Sequence, residues 1–513
     1  MGRKLFLFLG ILASSLLASL AGAEPVRVAV IDAPVDYTHG DITPYLDHET
    51  LERIRVRGGR ITNPADRDGT TSLGEYNAAA MARAIQALDP ALYEEQVRVL
   101  DLLTRQSAKE KLSEEDQAFL RSIRYKLMLN GRYRAQLNTL GTALHGTHVA
   151  GMVVDQLDPE RVRLVSYPFL DVAGSRVAAG RATLRERLLT RLMGNGCSGG
   201  VVCAPQGVVV DYLKHNAMGL LQGLMAAVTD PARLEQQMRE STRQHYGQLS
   251  LMLQQGGVRV ANMSLGFGLS MSLESALRSV GFLSRILFRD AITRMITVIM
   301  RVQQEELRRF FAENPNTAFV VAAGNDSVDV ARPGDYHSAA VDGPNVLTVA
   351  ATNFNGQLAE FSNVSTQSVE IAAPGVVVRS ARAGAGESRD RVSMSGTSMA
   401  APIVTNRVAQ ILSENPEFTP QQAIRSLLEN HTVILSDLKK SINGGRWMLP
   451  RSLVGQVSGE VAQIEGHNQE SYMAHGSCQD ALTPAPSASN VVEFSPAPRG
   501  GSEKAVEFYA EAA

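Results

Sequence analysis

A chain of 513 residues, 44% hydrophobic and 20% charged, has the composition of a globular protein and is long enough to bury a full core. Its 50 Lys and Arg nearly balance 52 Asp and Glu, for a formal net charge of −2. That balance removes the electrostatic case for a nucleic-acid partner or an anionic membrane surface.

At the N-terminus, Arg3 and Lys4 precede an apolar run from Leu5 to Leu20 that closes on Ala21-Gly22-Ala23. A basic start, a short apolar stretch and a small-x-small site are the pattern of a secretory signal over residues 1–23, with the mature chain starting at Glu24. The run is short for a bilayer span and no later segment has the length, so no stable span is expected after cleavage. The expected location is periplasmic or extracellular. In that oxidising setting the 3 cysteines read as one loop disulfide, Cys197 to Cys203, with Cys478 left free. Neither a metal nor a cofactor is expected.

Apolar, β-branched runs at 26–31, 161–166, 206–210, 257–263, 317–322 and 346–350 predict buried strands. They alternate with longer segments of helical period. That alternation predicts an α/β fold, a doubly wound, mostly parallel sheet with helices on both faces and large helical insertions at about 75–130 and 171–255. In the first insertion Met81, Ile85 and Leu88 share a helix face, as do Phe119, Ile123 and Leu127. Ser113, with Asp116 three residues on, can cap the second of these helices, and Asn130-Gly131 can end it. A later helix carries Phe288, Ile292, Met295, Ile299 and Val302 on one stripe. Two more helices are expected near the end, one from Ser398 to about Ser413 and one opening on Thr419-Pro420. The core domain spans 24–455, and the Pro/Ser/Ala-rich stretch 456–513 is predicted to be partly disordered.

Three motifs carry chemistry. Val28-Ala29-Val30-Ile31-Asp32 is an apolar strand ending in a carboxylate, which is costly to bury unless it has a partner. His145-Gly146-Thr147-His148-Val149-Ala150-Gly151 offers two candidate bases. Gly396-Thr397-Ser398-Met399-Ala400-Ala401-Pro402 places a hydroxyl at a helix start, where the outward N–H and the dipole favour negative charge. A serine needs such a base to attack at neutral pH.

Together these motifs resemble the subtilisin-like serine peptidases. The resemblance implies that Asp32 orients the base, His145 takes and returns the proton, Ser398 attacks, and His148 packs. It also implies that Asn325, in Val320-Val321-Ala322-Ala323-Gly324-Asn325, donates to the oxyanion beside the Ser398 N–H. Ser264, Leu265 and Gly266 resemble the strand edge that pairs with extended substrate. Phe361-Ser362-Asn363 and Ala372-Ala373-Pro374-Gly375 match further parts of the family pattern. The implied function is that of an exported serine endopeptidase acting on proteins or peptides through an acyl-enzyme. The alternatives are a weak or inactive secreted binding scaffold, or a processing peptidase of narrow specificity.

The chain departs from the family in several places. Ala33-Pro34 follows Asp32 where a hydroxyl residue and Gly are usual, so the carboxylate is either less firmly held or supported from elsewhere. The short connection 152–165 lacks the loop that binds calcium in many relatives, which leaves Asp41 as a vestige of that site. Asp36 and Asp41 are expected at the surface. Gly146 and Gly151 are expected to let their helix approach the one that follows Ser398. Residues 24–31 leave no room for a folded propeptide. With Asp32 ending its strand and His145 opening its helix, both stems of the first insertion are expected at the catalytic rim. There it would either restrict access or simply pack on the core.

Overall fold

The computed structural model describes residues 24–169, 230–264, 268, 272, 282–384 and 386–448. The candidate signal 1–23, the strand 206–210, Cys197, Cys203, Cys478 and the extension 456–513 lie outside the described residues.

The sheet is built from β1 (Val26–Asp32), β2 (Val162–Pro168), β3 (Val258–Met263), β4 (Ala318–Ala322), β5 (Val346–Thr352) and β6 (Ile371–Pro374). A separate antiparallel hairpin pairs β7 (Val378–Ala381) with β8 (Arg391–Met394). Two short strands, β9 (Thr432–Ile434) and β10 (Arg446–Met448), extend the main sheet at one edge. Its order is β9-β10-β6-β5-β4-β3-β1-β2, parallel throughout except that β9 runs against β10. Parallel strands are covered on both faces, so they need continuous apolar sequence. Every residue of Ala318–Ala322 and of Val346–Thr352 is buried accordingly. Five of the six sequence-predicted strands are therefore present, and β6, β9, β10 and the hairpin are additions.

The insertion after β1 is helical, as expected. Helix α1 (Leu73–Gln86) starts at a reciprocal cap between Ser72 and Glu75, α2 is Tyr93–Ser107, and α3 (Glu114–Leu129) starts at Ser113, whose hydroxyl accepts from the Asp116 N–H. Leu73, Met81, Ala84, Leu88 and Val97 join the main core. Each of the Leu, Met and Val side chains stabilises by about 1.5–3 kcal/mol on burial, so the insertion is packed on the core. Ile123 is buried as well, and Phe119 lies under the Arg98 guanidinium at 4.4 Å.

His145 does not open its helix. Asn130 ends α3 and its side chain also caps the next helix, α4 (Gly131–Val154), by accepting from the Tyr133 N–H at 3.1 Å. Fully buried Leu140, Ala143 and Leu144 then carry the helix without a break into the His145 motif. The insertion thus continues directly into the helix that bears the candidate base.

On the other side of the sheet, α5 (Pro231–Gly256) lies against α6 (Phe282–Glu313). Arg239 pairs with Glu305 at 2.6 Å and with Glu306 at 2.9 Å, and Arg301 pairs with Glu235 at 2.6 Å. Of the predicted stripe, Ile292, Met295, Ile299 and Val302 are buried, and the side chain of Phe288 lies outside what is described. Helix α7 (Thr397–Glu414) is buried along most of its length, and α8 (Pro420–Asn430) opens with Thr419 and Gln422 in a reciprocal cap. Among the described residues, no helix is long and apolar enough to cross a membrane.

Candidate active site

The chain leaves β1 for β2 on one side and returns to β3 on the other, so the strand order reverses at β1. In an open parallel sheet the crevice beyond the carboxyl ends of strands at such a reversal is where ligands bind. Asp32 is the last residue of β1, Ser264 follows β3, and Asn325 lies just past β4. Helices α4 and α7 bring His145 and Ser398 to the same end.

Asp32 and His145 are 0% and 4% exposed, and Nδ1 of His145 donates to Asp32 Oδ1 at 2.6 Å. A carboxylate accepts, so this bond puts the ring proton on Nδ1 and leaves Nε2 with its lone pair free for a substrate-side proton. Ala33 N–H also donates to Oδ1, at 2.6 Å. Oδ2 has no partner. The departure at Ala33-Pro34 therefore has a visible consequence: neither a hydroxyl nor a second N–H reaches the other oxygen. A buried acceptor left in this state costs about 1–3 kcal/mol.

Gly146 is required by contact. A Cβ there would lie 2.1 Å from the Ala33 carbonyl oxygen, so any side chain would push α4 away from the loop after Asp32 and break the Asp32–His145 bond. This corrects the expected role of the glycines. Gly146 faces Ala33 and Gly151 faces Ser380 and Ala381, while α4 meets α7 through Asn406, whose amide donates to the Val153 and Asp155 carbonyls at 2.9 Å.

His148 is fully buried, and its Nε2 donates to the carbonyls of Val378 at 3.0 Å and Val392 at 3.1 Å. It pins both strands of the β7–β8 hairpin, which is a packing role. Burial, aided by repulsion from His145, lowers its pKa to about 3, and burial lowers that of His337 to about 4. An unfolded histidine titrates near 6.5, so below that pH the unfolded chain binds protons that the folded one refuses. Stability is then lost as pH falls from about 6.5, by about 2 kcal/mol per histidine at pH 5. Burial raises the Glu370 carboxyl to about 7, which shifts stability the opposite way over this range. Urea unfolding at pH 7 and pH 5 is therefore expected to show a larger drop in the parent than in His337→Gln, and equal drops would contradict a neutral His337 ring.

Ser398 is 5% exposed, in the first turn of α7, where a backbone N–H has no intrahelical acceptor. Its hydroxyl donates to the Ser264 carbonyl at 3.3 Å, with no hydrogen bond to His145. Serine rotamers interchange readily, and catalytic hydrogen bonds commonly close only with substrate in place.

Pro402 explains the surroundings of Ser398. Proline has no N–H, so it cannot bond to the carbonyl four residues back, which is that of Ser398. The Ser264 hydroxyl supplies the missing donor at 2.9 Å. Asn262 Nδ2 in turn donates to Ser264 Oγ at 2.9 Å, and Thr405 Oγ1 donates to Asn262 Oδ1 at 2.9 Å. The Ser264 side chain thus serves the nucleophile's helix, which leaves only its main chain for substrate. Leu265 and Gly266 lie outside the described residues.

Asn325 Oδ1 accepts from Thr397 N–H at 2.8 Å and from Thr397 Oγ1 at 3.0 Å. A backbone N–H can only donate, so the amide oxygen must face it and Nδ2 is turned the other way. The preceding turn needs Gly324, whose φ is +102° and where a Cβ would lie 2.4 Å from Asn363 Nδ2. Fully buried Asn363 holds this turn by donating to the Ala323 carbonyl at 3.0 Å and accepting from the N–H groups of Asp326 at 2.9 Å and Val328 at 3.1 Å.

Two surface expectations change. Asp36 is buried and accepts from the Thr38 hydroxyl at 2.7 Å and the Gly384 N–H at 2.8 Å. Asp41 pairs with the Arg391 guanidinium at 2.9 Å, so its carboxylate already has a cation. Among the described residues, no group of three metal-ligating side chains is placed to hold a metal.

A profile of the subtilase family matches residues 24–454. A thermostable alkaline protease of Halalkalibacterium halodurans is 37% identical over 123 residues, 24% of this chain and 31% of that protein. The alkaline serine exoprotease A of Vibrio alginolyticus is 29% identical over 205 residues, 40% of this chain and 30% of that protein. The chain thus spans less than a third of the length of either relative. The crystal structure of a cold-adapted subtilisin-like serine proteinase is similar at 18% identity with a TM-score of 0.36, over 83% of this chain and 89% of that one.

Proposed function

The chain belongs to the subtilase family, and on that premise we propose that it is an exported serine endopeptidase working through Asp32, His145 and Ser398. The observation that carries the proposal is the buried bond from His145 Nδ1 to Asp32 Oδ1, which fixes the tautomer a general base needs. Ser398 Oγ attacks the scissile carbonyl while His145 Nε2 takes its proton, and Asp32 stabilises the resulting imidazolium. The oxyanion of the tetrahedral intermediate accepts from the Ser398 N–H and from Asn325 Nδ2. His145 then returns the proton to the leaving amine. Water, deprotonated by the same nitrogen, hydrolyses the acyl-enzyme.

Pre-set donors cost nothing to reorganise at the moment charge develops, and Asn325 is pre-set by both of its bonds to Thr397. Asn325→Ala is expected to lower kcat by about 10²–10³, or about 3–4 kcal/mol, with KM nearly unchanged. Steady-state rates on a short blocked peptide check this, and an equal rise in KM with constant kcat would remove Asn325 from the oxyanion hole.

Secretion is supported by the signal-like pattern over 1–23. A binding scaffold that has lost catalysis is disfavoured because acid, base, nucleophile and oxyanion donor are all present and lie at one end of the sheet. The test is mass spectrometry of unfolded protein substrates incubated with the full chain and with Ser398→Ala. Internal cuts made only by the parent support an endopeptidase, whereas release of terminal residues alone, or no cleavage, would overturn it.

A further inference from the structure

The loop after Asp32 is held by a residue of the inserted helices. Asn77, on α1, is fully buried, and its amide pairs with both backbone groups of Val35. Val35 N–H donates to Asn77 Oδ1 at 3.0 Å, and Asn77 Nδ2 donates to the Val35 carbonyl at 2.7 Å. The two backbone groups fix which way the amide faces. Ser166 Oγ, on β2, also donates to Oδ1, at 3.1 Å, and accepts from the Tyr37 hydroxyl at 2.7 Å. One side chain therefore ties the segment three residues beyond Asp32 to the strand beside β1. β1 ends at Asp32 and Pro34 brings no N–H of its own, so the next backbone anchor of this loop is the Asp36 N–H, which donates to Thr147 Oγ1 on α4 at 2.9 Å.

A second contact reaches the nucleophile. The β7–β8 hairpin has only two strands, so the outward N–H groups of β8 need other acceptors. Asp101, on α2, accepts from the Ser393 N–H at 2.9 Å, five residues before Ser398. Near it the Tyr93 hydroxyl donates to the Ala383 carbonyl and Glu94 pairs with Arg382 at 2.6 Å. The third arm is continuous, because the insertion runs into α4 and so into His145.

We propose that the helices inserted between Asp32 and His145 are an internal brace for the triad, with Asn77 and Asp101 as positioning residues for the loops that carry the acid and the nucleophile. The proposal rests on the Asp32-His145-Ser398 reading. Buried amide-to-backbone pairing is directional, and displacement of reacting groups by about 1 Å can cost on the order of 10²-fold in rate. The brace therefore acts on kcat and leaves ground-state binding alone.

The test uses the full chain and a short blocked peptide, with thermal unfolding of each variant alongside. Asn77→Ala is expected to lower kcat by about 10–100-fold with KM within about twofold. Asp101→Ala is expected to lower it by about tenfold, and Asp101→Asn, which keeps the acceptor for Ser393, to restore it to within about twofold. Met81→Ala, one turn along the same buried face of α1 as Asn77 but without a bond to the loop, should lower the unfolding temperature at least as much yet leave kcat within about twofold. Parental kcat in folded Asn77→Ala, or an equal kcat loss in Met81→Ala, would overturn the brace. Should Asn77→Ala fail to fold, the Asp101 pair decides: parental kcat in Asp101→Ala, or no recovery in Asp101→Asn, overturns it. None of these outcomes touches the triad, whereas turnover surviving in Ser398→Ala would overturn the triad and leave the structural contacts standing.

Discussion

Ser398→Ala is expected to lower kcat by about 10⁶ while the protein stays folded and KM changes little. The side chain removed is small, and the bonds around it run mainly through the Ser398 carbonyl, which Ser264 still satisfies at 2.9 Å. What disappears is the atom that forms the acyl bond. His145→Ala is expected to cost about as much, because a serine without its base is hardly a nucleophile at neutral pH. The double variant should then be no slower than either single one, since the second change removes a partner that already had nothing to act on. Rates on one peptide for all three variants check this. Additive losses would mean that the two residues act independently and are not one unit.

Asp32→Asn is expected to cost about 10⁴ in kcat with little change in fold. The amide is nearly the same shape as the carboxylate and can occupy the same fully buried position. Ala33 N–H can only donate, so the amide oxygen keeps the place of Oδ1, which Ala33 and His145 share, and the NH₂ takes the place of the unpartnered Oδ2. The tautomer is kept, and what disappears is the negative charge that stabilises the imidazolium as His145 takes the serine proton. Steady-state kinetics with a thermal melt as control measures it. A loss below tenfold would show that the Asp32 charge does not support the imidazolium.

Much of this arrangement was legible in the sequence, for physical reasons. Strands buried on both faces must be continuously apolar, which is why Val26–Asp32, Ala318–Ala322 and Val346–Thr352 stood out. The short edge strands Thr432–Ile434 and Arg446–Met448 carry too few residues for any period to register. The start of α4 at Gly131 was hidden because 131–144 mixes Arg132, Arg134, Thr139, Gly141 and Thr142 with its apolar residues and shows no clean stripe.

The supporting polar residues were harder to find than the reacting ones. Asn77, Asp101, Asn262 and Asn363 bond to groups distant in the chain or to backbone, and no spacing announces such partners. One signal is present in the sequence. A proline four residues after Ser398 leaves that residue's carbonyl without its helical donor, so a hydroxyl or amide had to lie nearby. The main chain of Ser264 is the part expected to meet substrate, while its side chain answers that need.

The most direct measurement of the central claim is covalent labelling by a fluorophosphonate, which needs a nucleophile, a base and an oxyanion site but no particular substrate sequence. The account expects one label per folded chain, mapped by mass spectrometry to the peptide containing Ser398. Asp32→Asn and Asn325→Ala should slow it, and Ser398→Ala should abolish it. Failure of the folded parent to label, or a label on any residue other than Ser398, would contradict the account.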